Sequence, residues 1–184
     1  YSAALLAILP LAAIFGMLVA KGAGSIDWAF FTRSSVPLGE TGGVTIAVED
    51  PDGCPRFMAA VLRGVKVGPS PRWLQDRVTA VGMRSINNVV DATNCVMFEL
   101  NQPMHAYDIA RLRGSALIAR RAAPGEKLVT LDDIERTLDP DMVVIADRGG
   151  AVGIAGVMGA AHVEVSTETS DVVLECAYFD PRRI

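Results

Sequence analysis

An unbroken run without a single charge, SAALLAILPLAAIFGMLVA from Ser2 to Ala20, sets the first constraint on the fold. An α-helix needs about 20 such residues to cross the hydrocarbon core of a bilayer, so the run predicts one hydrophobic helix of transmembrane type. Pro10 in its middle is tolerable in a membrane helix and costly in a soluble one. Lys21 follows as an interfacial anchor. A signal peptide is the alternative, but no basic stretch precedes the apolar residues. The sequence opens on Tyr1 and stops at Ile184 without a polar tail, so it reads as a fragment cut at both ends.

Around Val44–Asp50 the character changes to short amphipathic patterns of a soluble domain. The expected division is therefore a hydrophobic helix and linker over 1–43, foreign to the rest of the chain, and one soluble domain over 48–184. A natural fusion and a join made in error are equally compatible with that break. A chain of 184 residues with 51% hydrophobic content supports one packed core of ordinary size. Its net charge of -4 provides no global basic field, so contact with nucleic acid has to come from a local patch or from other parts of a larger assembly. Three cysteines, Cys54, Cys95 and Cys176, lie far apart without C-x-x-C spacing, and there are only two histidines. No metal site and no disulfide framework are expected, which suits a reducing cytosol.

After the turn signal PDGCP, the run RFMAAVLRGVKV alternates as a strand does. GPSPRWLQDRV predicts a helix with Ser70 as cap, Pro71 in the first position, Leu74, Val78 and Val81 on one face and Gly82 as stop. A second helix is expected with Ser85 as cap. Its apolar face carries Ile86, Val89, Val90, Thr93, Val96 and Met97, and its polar face Asn87, Asn88, Asp91 and Asn94. Beyond the loop NQPMHAYD come the strand-like segments ALIARRA, KLVTL, ERTL, MVVIAD and DVVLECAYF. Helices followed by clustered strands indicate an α+β fold rather than a doubly wound sheet.

The motifs CPRF, GVKVGPSPRWLQDRV, GMRSINNVVDATNCVMFELNQPMHAYD, GEKLVTLDD, VIAD, IAGVMGA and LECAYFDP occur in this order from Cys54 onward. In that order they resemble the tRNA-editing domain of the bacterial phenylalanyl-tRNA synthetase beta subunit. The resemblance implies an α+β editing domain that binds the aminoacyl end of phenylalanine tRNA and hydrolyses tyrosyl-tRNA. It also implies a cytoplasmic setting and an alpha subunit as partner in a heterotetramer. ATP and Mg2+ would serve the complete synthetase, with no cofactor in this stretch. Asp133 and Ala160 depart from the family, which has Gly at both places, and Ala160 bears on backbone access near Gly159. The family segment that closes the pocket lies beyond Ile184. Lys21–Gly43, with GAGSIDWAFFT and SSVPLGETGGV, is loosely similar to phosphate-transport permeases, which implies membrane contact through residues 2–20.

A synthetase for phenylalanine meets tyrosine as an analogue with one added hydroxyl, and an apolar pocket separates such a pair only about a hundredfold. Editing supplies the rest. By motif matching, Glu175 in LECAYF corresponds to the residue that reads the tyrosine hydroxyl, because a carboxylate is a strong acceptor; without the resemblance it reads as a surface glutamate. His105 in QPMHAYD corresponds to the polar residue near the ester, a water-orienting catalytic group or a loop histidine bonded to local backbone. Arg84, Thr93, Asn94 and Gly159 correspond to pocket positions, against plain readings as solvated charge, helix-face packing, capping and turn. Gly153, Gly156 and Gly159 lack the following helix of a dinucleotide site, and His162 with Glu164 lacks further metal ligands. Cys176 is expected to pack inward. Three functions stay open: an editing enzyme, a non-catalytic binder of the tRNA end, and a membrane-permease fragment carrying a passenger domain.

Overall fold

The structure is a computed structural model that describes residues 39–184. The predicted helix Ser2–Ala20 and most of the permease-like stretch lie outside the described residues. Among the described residues, no helix is long and apolar enough to cross a membrane. The order is β1 (Gly39–Thr41), β2 (Val44–Val48), β3 (Arg56–Leu62), α1 (Arg72–Ala80), α2 (Asn88–Leu100), β4 (Met104–Asp108), β5 (Ala116–Arg121), β6 (Lys127–Val129), β7 (Glu135–Thr137), β8 (Val143–Asp147), β9 (Gly150–Ile154), β10 (Met158–Gly159) and β11 (Val172–Tyr178). Short 3-10 turns follow β4 and β10. This is the α+β class expected.

Six strands form one sheet in the order β1-β2-β5-β8-β9-β10, in which only β2 and β5 run parallel. All five residues of β8, VVIAD, are buried, as a strand covered on both faces demands. Its last residue, Asp147, is buried with its polar atoms satisfied, because its oxygens accept the backbone N–H groups of Arg113, Gly149 and Gly150. The hairpin β1–β2 occupies the stretch where the sequence changes character.

A second sheet, β3-β11-β4, is antiparallel throughout, with β11 in the middle. Period-two alternation divides β11 between two cores. Val173 and Ala177 turn to the main core with Phe57 and Tyr107, whereas Val172 and Leu174 meet Val65, Val67 and Val89 of α2. The face of β11 that carries Val173 also carries Glu175.

The helices depart from expectation at their starts. Neither Ser70 nor Ser85 caps a helix: Pro71 occupies the N-cap of α1 without a side-chain bond, and Asn87 caps α2 by accepting from Val89 N and Val90 N. Both serine hydroxyls instead donate to Asp91 Oδ2 at 2.5 Å, while Ile86 N donates to Oδ1 at 2.9 Å. Asp91, expected on the polar face of α2 opposite the apolar one, is fully buried. Burial works against its charge, but the donors from Ser70, Ser85 and Ile86 outweigh it and hold the carboxyl below its ordinary range. Ile86 and Val81 are exposed, outside the apolar faces assigned to them, because both lie in the loop around Gly82 rather than in a helix. Gly82 does end α1, at φ 86°.

The two departures from the family pattern differ in consequence. Asp133 sits at φ 61°, in the left-handed region that Gly enters freely and Asp tolerates. Ala160 sits at φ -85°, ψ 144°, an extended conformation open to any residue, and its methyl group is buried. Ala160 therefore imposes no backbone strain beside Gly159.

Candidate functional site

Register creates the site. In the antiparallel pair β4–β11, His105 stands directly opposite Glu175 and Tyr107 opposite Val173. Cross-strand partners share a face, and diagonal neighbours are within reach of long side chains. Tyr107 uses that reach: its hydroxyl donates to Glu175 Oε2 at 3.1 Å. Its ring meets the His105 imidazole edge-on, with centroids 4.6 Å apart.

The hairpin β9–β10 brings up the opposite wall, with Gly159 paired to Gly153. Of the two, only Gly159 needs the absence of a side chain. A Cβ on Gly159 would overlap the His105 ring, and one on Gly153 would stand 3.4 Å from the Tyr107 hydroxyl. Between the two sheets lies a cavity of about 260 Å³, bordered by Met97 of α2, the His105–Tyr107–Glu175 cluster and apolar groups such as Ile154 and Phe179. That is below the roughly 300–1,000 Å³ of drug-sized pockets and suits a single aromatic side chain better than a nucleotide. A larger depression of about 560 Å³ near Ser70, Asn87 and Arg111 lies apart from these groups.

Burial shapes the protonation of the cluster. Glu175, 7% exposed, is pushed up to about 7 by desolvation, opposed by the Tyr107 hydrogen bond. Desolvation depresses His105 to about 4, so its imidazole is neutral at neutral pH. Tyr107 is raised well above its ordinary value by burial first and by the Glu175 charge second. Oε2 of Glu175 is held by Tyr107, and Oε1 makes no hydrogen bond among the described residues. Glu175 therefore offers the cleft one carboxyl oxygen without a protein partner, and that oxygen is not sealed from solvent.

Of the residues singled out in the sequence, His105, Gly159 and Glu175 line this cleft. Arg84, Thr93 and Asn94 are not in its lining. Arg84 is exposed in the loop before α2, Thr93 is buried with its hydroxyl on Val90 O, and Asn94 is half-buried. Sequence reasoning misses Tyr107, although it lies two residues after His105 in a strand and so shares its face. Cys176 is half-buried on the opposite face of β11. Among the described residues no group of three or more His, Cys, Asp or Glu is placed to hold a metal ion.

Comparison with known proteins places this geometry in a family. The B3/4 domain model matches residues 53–184. The phenylalanine–tRNA ligase beta subunit of Moorella thermoacetica is 51% identical over 140 residues, covering 76% of this chain and 17% of that protein. That of Symbiobacterium thermophilum is 50% identical over 137 residues, covering 74% and 15%. The chain thus spans about one sixth of the length of the curated relatives it matches. Among solved structures, an N-terminal fragment of the phenylalanyl-tRNA synthetase beta subunit from Pyrococcus horikoshii superposes with a TM-score of 0.58. It is 14% identical and the match covers 85% of this chain and 50% of that one, a likeness of fold alone.

Proposed function

The chain belongs to the B3/4 domain family in the form carried by phenylalanine–tRNA ligase beta subunits, and from that membership we propose that its cleft edits mischarged tRNA. The tyrosyl group of tyrosyl-tRNA enters the cavity, and its hydroxyl donates to Glu175 Oε1. The observation that carries this reading is the buried Glu175 carboxylate at the floor of a cleft sized for one aromatic ring. A phenylalanyl group leaves that acceptor unpaired and desolvated, which is the costly case.

Hydrolysis needs no nucleophilic side chain. Water adds to the ester carbonyl and the ribose oxygen leaves with a proton, releasing tyrosine and uncharged tRNA. His105, neutral through burial, orients that water, and Gly159 admits the imidazole to the cleft. Arg84, exposed in the loop before α2, is free to hold a phosphate of the tRNA end, whereas Thr93, buried and bonded to Val90 O, and half-buried Asn94 support α2 rather than touch the ligand. In the complete ligase the alpha subunit holds the synthetic site and uses ATP and Mg2+, phenylalanine tRNA is the shared substrate, and the setting is the cytoplasm.

The test is deacylation of tyrosyl-tRNA and phenylalanyl-tRNA by the full ligase with Glu175→Ala in the beta subunit. Loss of a charge-assisted hydrogen bond of about 1.5–3 kcal/mol corresponds to a roughly ten- to hundredfold loss of discrimination, with phenylalanine charging unaffected. Unchanged discrimination would sink the assignment. Tyrosyl binding without hydrolysis would leave a non-catalytic binder of the tRNA end.

A further inference from the structure

Glu175 and His105 do not complete the cleft, because a carboxylate has two oxygens and only one faces the incoming ring. The other is taken by Tyr107, a buried phenol from the protein itself. Resting on the editing reading above, we infer that Tyr107 is the positioning residue that sets the cleft's selectivity: its hydroxyl fixes Glu175 Oε2 and so aims Oε1 at the ligand hydroxyl.

Tyr107 is suited to hold the carboxylate still. It is 2% exposed, sits on the inner face of β4, and has its ring fixed edge-on by His105. Gly153 of β9 lies beside its hydroxyl, where an added Cβ would stand 3.4 Å away. A carboxylate anchored at one oxygen loses part of its rotational freedom, so ordering its free oxygen costs less when a ligand binds. The cleft then holds two phenols on one carboxylate, one resident and one arriving. A phenylalanyl ring fills the same space and leaves Oε1 without a donor. Without the resident hydroxyl, the carboxyl is free to rotate or to take up a proton, and it then stops being a dedicated acceptor.

Of the titratable groups around Glu175, His105 is depressed by burial, Tyr107 and Cys54 are raised, and Cys176, on the opposite face of β11, is raised as well. Glu175 alone among them titrates close to neutrality. Because the Tyr107 bond lowers the Glu175 pKa, removing it moves that titration to higher pH.

The experiment uses the full chain with two hydrolysis-resistant probes, the amide-linked 3′-tyrosyl and 3′-phenylalanyl derivatives of 3′-aminoadenosine. Their affinities are measured by calorimetry from pH 5.5 to 9 for the native protein, Tyr107→Phe, Glu175→Gln and the double variant. In the native protein the tyrosyl preference should rise with pH. Tyr107→Phe should lower that preference roughly three- to tenfold, leave phenylalanyl affinity within about twofold, and shift the midpoint of the pH profile upward. In the Glu175→Gln background, Tyr107→Phe should bring no further loss. A Tyr107→Phe protein that weakens both probes equally, or keeps the native midpoint, overturns the inference alone. A native protein with no tyrosyl preference at any pH removes the editing reading and the inference with it.

Discussion

Between pH 4.5 and 6.5, folding shifts a proton from His105 to Glu175, and substituting either residue should expose that exchange as a change in the slope of stability against pH. In the unfolded chain Glu175 is ionised above its ordinary 4.5 and His105 is charged below its ordinary 6.5. In the folded cleft, burial raises the carboxyl to about 7 and lowers the imidazole to about 4, so both are neutral throughout this window. Each state binds one proton on the pair, and the pair contributes no slope. Alone, the groups act oppositely. The Glu175 contribution is present below pH 4.5 and lost as pH rises through about 7, whereas the His105 contribution is lost as pH falls from 6.5 through about 4. Glu175→Gln should therefore gain stability with rising pH relative to the native protein, and His105→Asn should lose it. The slope is at most about 1.4 kcal/mol per pH unit, or on the order of 2–3 kcal/mol across the window. Carboxyls held near 2 by arginines, such as Glu126 beside Arg120, are common to all three proteins and cancel in the difference. Urea unfolding at pH 4.8, 5.5 and 6.2 measures the slopes, and imidazole 15N shifts report the charge of His105. Three parallel stability curves, or a protonated His105 at pH 5.5, would refute the reasoning.

Gly159→Ala forces the His105 ring out of its notch, so unfolding free energy should fall by about 1–3 kcal/mol and the imidazole resonances should move; a native His105 spectrum would contradict the close approach. Asp91→Asn keeps the shape but removes the charge that accepts from Ser70, Ser85 and Ile86, at a cost of about 1.5–3 kcal/mol. Hydrogen exchange should show that loss concentrated in α1 and the start of α2. Asp133→Gly should raise stability by up to about 1 kcal/mol because the residue sits at positive φ. Ala160→Gly, at an ordinary extended conformation, should instead lower it by about 0.5–1 kcal/mol. Chemical denaturation distinguishes the two signs.

What the sequence discloses depends on the range of the interactions involved. ALIARR, VVIAD and VVLECAY are legible as strands because short apolar runs with β-branched residues between turn signals are local features, and they form β5, β8 and β11. The helix starts mislead because Ser70 and Ser85 satisfy a local capping rule while their true partner, Asp91, is fixed only when α1 and α2 pack. The site shows the same division more sharply. His105 and Glu175 are reached through family motifs and not through spacing, since 70 residues separate them and only the β4–β11 register makes them partners. Tyr107 needs no tertiary information to be placed on His105's face, only the recognition that MHAYD is a strand rather than the tail of a loop. Loop residues after a proline carry weak periodicity, and five residues suffice for a strand only when a neighbour pairs with them. That neighbour is β11. The strand that turns MHAYD into part of a sheet is therefore the same one that brings Glu175 to Tyr107, so fold and site are specified by one pairing.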